Sequence, residues 1–378
     1  MYIRIMKKIL IVFGTRPEAI KMAPLVKGFQ NDMQNFETRV CVTAQHREML
    51  DQVLDFFQIT PDYDLNLMRP GQNLNQLTAE ILIQLKSVLD DFQPDFVFVH
   101  GDTTTSMAAA LASFYQQITV CHIEAGLRTY NLASPFPEEM NRQITARIAQ
   151  YHFAPTPRAK QNLINEGIAE KNIIVTGNTV IDALMQSVEK IKQNPSIVHQ
   201  DLIDKIKNQE IILITGHRRE NHGTGIQNIC RAILALAQKY PEKRFIYPVH
   251  LNPKIKEPVQ ELLGNTENIL LVPPLAYQDF IWLMNQSKII ITDSGGIQEE
   301  APSLGKPVLV TRNTTERPEA LEHGTVILVG TDTQKIINET SRLLDNTAFY
   351  AQMSNLHNPY GDGKACEKII NFTENLNQ

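Results

Sequence analysis

The sequence predicts an α/β protein made of two doubly wound units, each with a parallel sheet. Three observations predict it. At 378 residues and 43% hydrophobic content, the chain is longer than one core usually grows, so two domains of ordinary size are expected. Short apolar runs rich in Val and Ile alternate with longer amphipathic stretches in both halves, the pattern of parallel strands buried on both faces. Several of these runs end in Gly, Ser or charged residues that lead straight into a helical pattern, as the carboxyl ends of strands do in open α/β sheets.

In order, the first half offers "KKILIVF", "FETRVCVTA", "PDFVFVHG", "QITVCHIEAG", "AQYHFAP" and "KNIIVTGN". The second offers "EIILITG", "KRFIYPVH", "NILLVPP", "SKIIITDSGG", "KPVLVTR" and "TVILVG". Between them, "DALMQSVEKIKQNPSIVHQDLIDKIKNQ" carries no strand and grows polar, which places the link between the halves in or near it. Ligands bind beyond the carboxyl ends of strands in such sheets, and two such edges can face each other across a cleft.

A net charge of -5 and a pI near 6.1 give no field that would gather nucleic acid or acidic lipid. The basic and then apolar start "MYIRIMKKILIVFG" reads as a first strand, since its apolar part is short and no small-residue cleavage site follows. No stretch approaches the roughly 20 apolar residues of a membrane span, so a cytoplasmic protein is expected. Cys41, Cys121, Cys230 and Cys366 are scattered and read as packed thiols, with neither a disulfide frame nor a zinc site suggested.

Three junctions carry the chemistry. In "ILIVFGTRPEAIKMAP", Gly14 gives a sharp exit from the strand and Pro17 suits the first turn of a helix. Free backbone N–H groups there, with Arg16 and Lys21, would suit a phosphate; the plainer alternative is a solvated helix start. No G-x-G-x-x-G loop supports a nicotinamide cofactor. In "SKIIITDSGGIQEEAPSLGKP", Ser294, Gly295 and Gly296 could cradle a diphosphate, with Glu299 or Glu300 accepting from a ribose, or Ser294 could be simply an N-cap. "EIILITGHRRENHGTGI" crowds His217, Arg218, Arg219, Glu220, Asn221 and His222 at a strand end, Arg219 being readable as a surface charge.

Carboxylates follow other strands: Asp102 in "FVFVHGDTTTS", Glu124 in "VCHIEAGLRT", and Glu138 with Glu139 in "ASPFPEEMNRQ". Burial at strand ends raises a carboxylate's proton affinity, which makes these candidates for acid and base work. The structural alternatives are an N-cap for Asp102 and a surface position for one of Glu138 and Glu139.

Ten motifs together resemble the non-hydrolysing UDP-N-acetylglucosamine 2-epimerases: "GTRPEAIKMAP", "QHREML", "HGDTTTS", "HIEAGLRT", "PEEMNR", "TGNTVIDAL", "HRRENHG", "HLNP", "DSGGIQEEAPSLGKPVL" and "TTERPEA", in family order. The resemblance implies a GT-B type fold with two Rossmann-like domains. These would be residues 1–178 plus 360–378, the last helix crossing back, and a UDP-binding domain of residues 179–359. It implies catalytic roles for Asp102, Glu124, Glu138 and His217. Substrate binding would fall to Arg16, Lys21, Ser294, Gly295, Gly296, Glu300 and Arg317. A regulatory UDP-N-acetylglucosamine site would involve Gln45, Arg69 and His250. A homodimer is implied as well.

The implied reaction interconverts UDP-N-acetylglucosamine and UDP-N-acetylmannosamine for cell-envelope polysaccharides. Carbon 2 of the sugar has no neighbouring carbonyl to stabilise a carbanion, so elimination of UDP from carbon 1 to a 2-acetamidoglucal, followed by re-addition, is the expected route. It needs no redox cofactor and no metal. Two faces of the sugar require two acid-base groups or one that moves, and the sequence does not say which carboxylate serves which face. The alternatives are a hydrolysing epimerase that releases N-acetylmannosamine and UDP, a non-catalytic nucleotide-sugar sensor, and a glycosyltransferase, which would need an acceptor.

Overall fold

The computed structural model describes residues 6–44, 47–67, 69, 71–206 and 209–376. It divides into two compact units, one made of the chain up to Ala183 together with the segment from Tyr360 onward, the other Leu184–Pro359.

In the first unit, β1 (Lys7–Phe13), β2 (Phe36–Val42), β3 (Tyr63–Asp64), β4 (Phe96–His100), β5 (Thr119–Ile123), β6 (Tyr151–Ala154) and β7 (Ile173–Val175) form a parallel sheet in the order β3-β2-β1-β4-β5-β6-β7. Ile9, Leu10, Ile11, Val12 and Phe13 are all fully buried, since helices cover both faces of this central strand. The strand order reverses between β1 and β4, the kind of switch point at which open α/β sheets generally take their ligands. β3, only two residues long and polar, pairs Tyr63 with Cys41 and has no apolar run that would announce it.

The second unit repeats the scheme with β8 (Ile211–Thr215), β9 (Arg244–Pro248), β10 (Ile269–Val272), β11 (Ser287–Thr292), β12 (Val308–Val310) and β13 (Val326–Leu328), ordered β10-β9-β8-β11-β12-β13 and again parallel. Its reversal lies between β8 and β11. All four cysteines are buried and free.

The helix Thr179–Gln193 carries the chain out of the first unit. Where the chain returns, Asn178 donates its backbone N–H to the Tyr360 carbonyl at 2.7 Å. The helix Ala365–Asn375 then packs on the first unit. Its first-turn N–H groups at Ala365 and Cys366 donate to the Asp182 carboxylate at 3.1 and 2.9 Å, which satisfies donors that no residue inside the helix can take. At its other end Lys7 Nζ donates to the carbonyls of Thr373, Glu374 and Leu376 at 2.8, 2.8 and 2.6 Å. Phe372 meets Tyr151 and Phe153 edge-on. Gly28 leaves room for Ile370, whose Cδ1 would lie 2.4 Å from an added β-carbon.

Candidate functional site

At the carboxyl end of β1, Thr15 caps the helix Arg16–Asn31 and Glu18 completes the capping box. Glu18 is 2% exposed. Its Oε2 accepts the backbone N–H groups of Gly14 and Thr15 at 3.0 and 2.8 Å, and its Oε1 accepts the hydroxyls of Thr103 and Ser106 at 2.6 and 3.0 Å. Burial raises its proton affinity, and these hydrogen bonds oppose the rise. The expectation of free N–H groups waiting for a phosphate at this loop is therefore corrected: an internal carboxylate occupies those of Gly14 and Thr15. Arg16 is the first residue of the helix and half-buried. Lys21, one turn further, forms an ion pair with Glu124.

Glu124, just past β5, has a left-handed backbone with φ 59°, a conformation that a residue with a β-carbon adopts at a cost and that clusters at functional sites. Its Oε2 takes the Lys21 ammonium and Asn178 Nδ2 at 2.8 Å, and His100 Nε2 lies 3.6 Å away. Burial pushes His100 down to about 4, against the pull of Glu124, so its imidazole is neutral at ordinary pH.

Asp102, past β4, pairs with Arg142 Nη2 at 2.6 Å, and Asn141 Nδ2 donates to its backbone carbonyl at 2.9 Å. The N-cap of the following helix is Thr103, not Asp102, which leaves the Asp102 side chain to Arg142. Arg142 also bonds Glu139 at 3.0 Å. Neither Glu138 nor Glu139 lies on the open surface as one of them was expected to: Glu138 is half-buried and Glu139 fully buried. Burial alone would raise the Glu139 carboxyl. The N–H groups of Thr129 and Tyr130 with Gln143 and Arg142 outweigh it and hold it below the usual value. Glu139 thus pins the loop after β5, while Glu138 opens the helix Glu138–Ile148.

In the second unit, Ser294 stands at the N-cap of the helix Gly295–Glu300 but makes no side-chain cap hydrogen bond. A β-carbon on Gly295 would lie 3.8 Å from Arg218 Nη2 and 3.9 Å from the Arg317 guanidinium, so two cations gather beside Gly295. Arg317 Nε is held by Glu299, 1% exposed. Of the two glutamates left open by the sequence, Glu299 anchors an arginine and Glu300 is the half-buried end of the helix.

The loop after β8 is tied to β11 by Asp293, whose Oδ2 accepts the N–H groups of His217 and Arg218, both at 2.9 Å, and Asn221 Nδ2 at 3.2 Å. His217 stacks on His250, ring centroids 6.0 Å apart and planes 21° from parallel. Burial lowers the proton affinity of His217, Asp293 opposes this, and Arg218 and His250 reinforce it. Arg219 is exposed. Of the residues assigned to a regulatory site, His250 thus lies against His217, Arg69 Nη1 sits 3.5 Å from Glu80, and Gln45 falls outside the described residues.

The structure thus joins Lys21 to Glu124 and gathers Gly295 with Arg317. It adds residues the sequence reading left out: Glu18, His100, Arg142, Asn178 and Asp293. The capping-box spacing from Thr15 to Glu18 was the one local signal among them. The others act through contacts between residues far apart in the chain. Among the described residues, no group of three or more His, Cys, Asp or Glu could hold a metal ion, and no helix is long and apolar enough to cross a membrane.

Comparison with known proteins identifies the lineage. The profile of the family described as UDP-N-acetylglucosamine 2-epimerase matches residues 30–374. A UDP-N-acetylglucosamine 2-epimerase of Yersinia pestis is 56% identical over 371 residues, covering 97% of this chain and 98% of the relative. The crystal structure of UDP-GlcNAc 2-epimerase from Neisseria meningitidis bound to UDP-GlcNAc superimposes with a TM-score of 0.87 at 55% identity, over 97% of this chain and 99% of that one. The Methanocaldococcus jannaschii enzyme in complex with UDP-GlcNAc and UDP matches with a TM-score of 0.79 at 34% identity, over 97% and 99%. The two parallel α/β sheets are of the GT-B type found in these neighbours. With nearly the whole length matched in sequence and in fold, this chain belongs to the UDP-N-acetylglucosamine 2-epimerase family.

Proposed function

We propose that the chain interconverts UDP-N-acetylglucosamine and UDP-N-acetylmannosamine by elimination and re-addition of UDP, without hydrolysis. A carboxylate of the set Asp102, Glu124 and Glu138 takes the proton from carbon 2. The bond from carbon 1 to the diphosphate oxygen breaks with its electron pair leaving on UDP, and a double bond forms between carbons 1 and 2. Addition of UDP in reverse, with a proton delivered to the opposite face, completes the inversion and leaves the oxidation state of the sugar unchanged. In the second unit Arg317, His217 and the backbone at Ser294, Gly295 and Gly296 meet the charge that gathers on the departing diphosphate, with Glu300 at the nucleotide. Arg16 and Lys21 belong to the same substrate-binding set, Lys21 acting through its ion pair with Glu124.

The observation that carries this reading is Glu124: a left-handed backbone, an ion pair with Lys21 and an amide from Asn178 fix one carboxylate at a strand end, next to the strand β4 that Asp102 follows. A binding protein would have no use for a carboxylate held so firmly next to a second one. The resemblance further implies a homodimer working in the cytoplasm.

Running the reaction in deuterated water tests the route. Solvent deuterium should appear at carbon 2 of the product, with traces of UDP and glucal. Product free of deuterium would rule the elimination out, and N-acetylmannosamine as a free sugar would turn the assignment to the hydrolysing reaction.

A further inference from the structure

Asp293 closes β11 and is 1% exposed. Its Oδ2 already holds the backbone of the His217 loop through two N–H groups and the Asn221 amide. Its other oxygen, Oδ1, is buried and accepts no hydrogen bond among the described residues, a costly condition for a carboxylate unless a donor is within reach. His217 Nδ1 lies 3.4 Å from it, a gap that a small rotation of the imidazole closes. His250 lies nearly parallel to the ring, 6.0 Å away between centroids.

We propose that Asp293 is the positioning residue of His217: Oδ1 takes the Nδ1–H of the imidazole, which turns Nε2 toward the diphosphate and favours the imidazolium, whose Nε2–H donates to the departing oxygen. The inference rests on the reading above, in which His217 serves the departing UDP. One side chain then does two things, holding the loop by its backbone and the ring by its tautomer. A carboxylate behind a histidine is a general means of orienting the ring and favouring its cation as negative charge develops opposite. The charged and titratable groups facing His217 are Asp293 just past β11, Arg218 from its own loop and His250 from the loop after β9. Of these three, Asp293 alone favours the imidazolium.

The test compares Asp293→Asn, His217→Asn and the double variant in the full chain, reading kcat and KM across pH, melting temperature and the NMR titration of His217. Asp293→Asn should lower kcat at least about 10-fold with little change in KM, as expected for loss of a tautomer-fixing carboxylate. The double variant should be no slower than His217→Asn alone beyond about 2-fold, because partners acting as a unit are not additive. The His217 titration should move down by about one pH unit or more when the facing charge is removed. An equal loss in the wild-type and His217→Asn backgrounds would overturn the proposal. Should Asp293→Asn not fold, the nitrogen shifts of His217 in the wild-type chain decide: a proton on Nδ1 supports the pairing, and a neutral ring protonated on Nε2 overturns it. The tautomer is read without turnover, so a wild-type chain that fails to epimerise would count against the proposed function and leave this measurement standing.

Discussion

Replacing Glu18 by Ala would show how far one buried carboxylate holds the candidate site in shape. It removes the acceptor of four hydrogen bonds, two from the backbone of Gly14 and Thr15 and two from the hydroxyls of Thr103 and Ser106. The two hydroxyls lie 3.2 Å apart and can turn to each other, but the two N–H groups are stranded at about 1–2 kcal/mol each. The bond from the N–H of residue 18 to Thr15 Oγ1 survives the substitution, so the net cost is that of the two stranded groups, about 3 kcal/mol. Urea unfolding followed by circular dichroism measures it. Glu18→Gln, which keeps the shape and one acceptor oxygen, should fall between Ala and wild type.

The pH dependence sharpens the test. Burial raises Glu18 above 4.5 in the folded chain, so between 4.5 and the raised value the folded state binds the proton that the unfolded state has released. That contribution is fully present below the unfolded pKa and is lost as pH rises through the folded one. The stability gap between wild type and Glu18→Gln should therefore widen as pH is lowered from neutral toward 4.5. A loss below about 1 kcal/mol for Glu18→Ala, or a gap that narrows on acidification, would refute this account of the loop.

Gly14→Ala would place a β-carbon 2.1 Å from Thr43 Oγ1 and 2.6 Å from Thr105 Oγ1; a thermal melt should show a cost of about 1–3 kcal/mol, partly recovered by adding Thr43→Ala. Lys7→Met removes three bonds to the end of the helix Ala365–Asn375, and amide exchange in its last turn should quicken by about 10-fold or more. Burial holds His100 and His152 at about 4 and His122 at about 3, all below the ordinary 6.5. Their contribution is therefore present above 6.5 and is lost as pH falls toward the folded values, at up to about 1.4 kcal/mol per pH unit for each. His152→Phe should accordingly lose less stability than wild type between pH 7.5 and pH 5 in urea titrations, and an identical loss would remove His152 from the account.

The central apolar strands were legible because they are buried on both faces and their side chains have no polar choice to make: "KKILIVF" and "SKIIIT" became β1 and β11. β3 was not, because a two-residue strand at a sheet edge is defined by its partner and not by its own composition. Residue types at strand ends singled out the loops taken as the candidate site. They could not show that Gly14 and Thr15 turn their N–H groups to Glu18, that Arg142 joins Asp102 to Glu139, or that Asp293 reaches back across 76 positions to the N–H of His217. Those are pairings of side chains brought together by the sheet order, and only the fold reveals them.

The segment after Tyr360 has a bearing on how the chain is made. Asp182 and Lys7 both wait for partners between Ala365 and Leu376, and during synthesis those arrive only after the whole of Leu184–Pro359 has left the ribosome. The first unit is begun first and sealed last, with the groove around Gly28 bare in the meantime. Nascent chains halted before position 365 should therefore be the ones that chaperones hold longest.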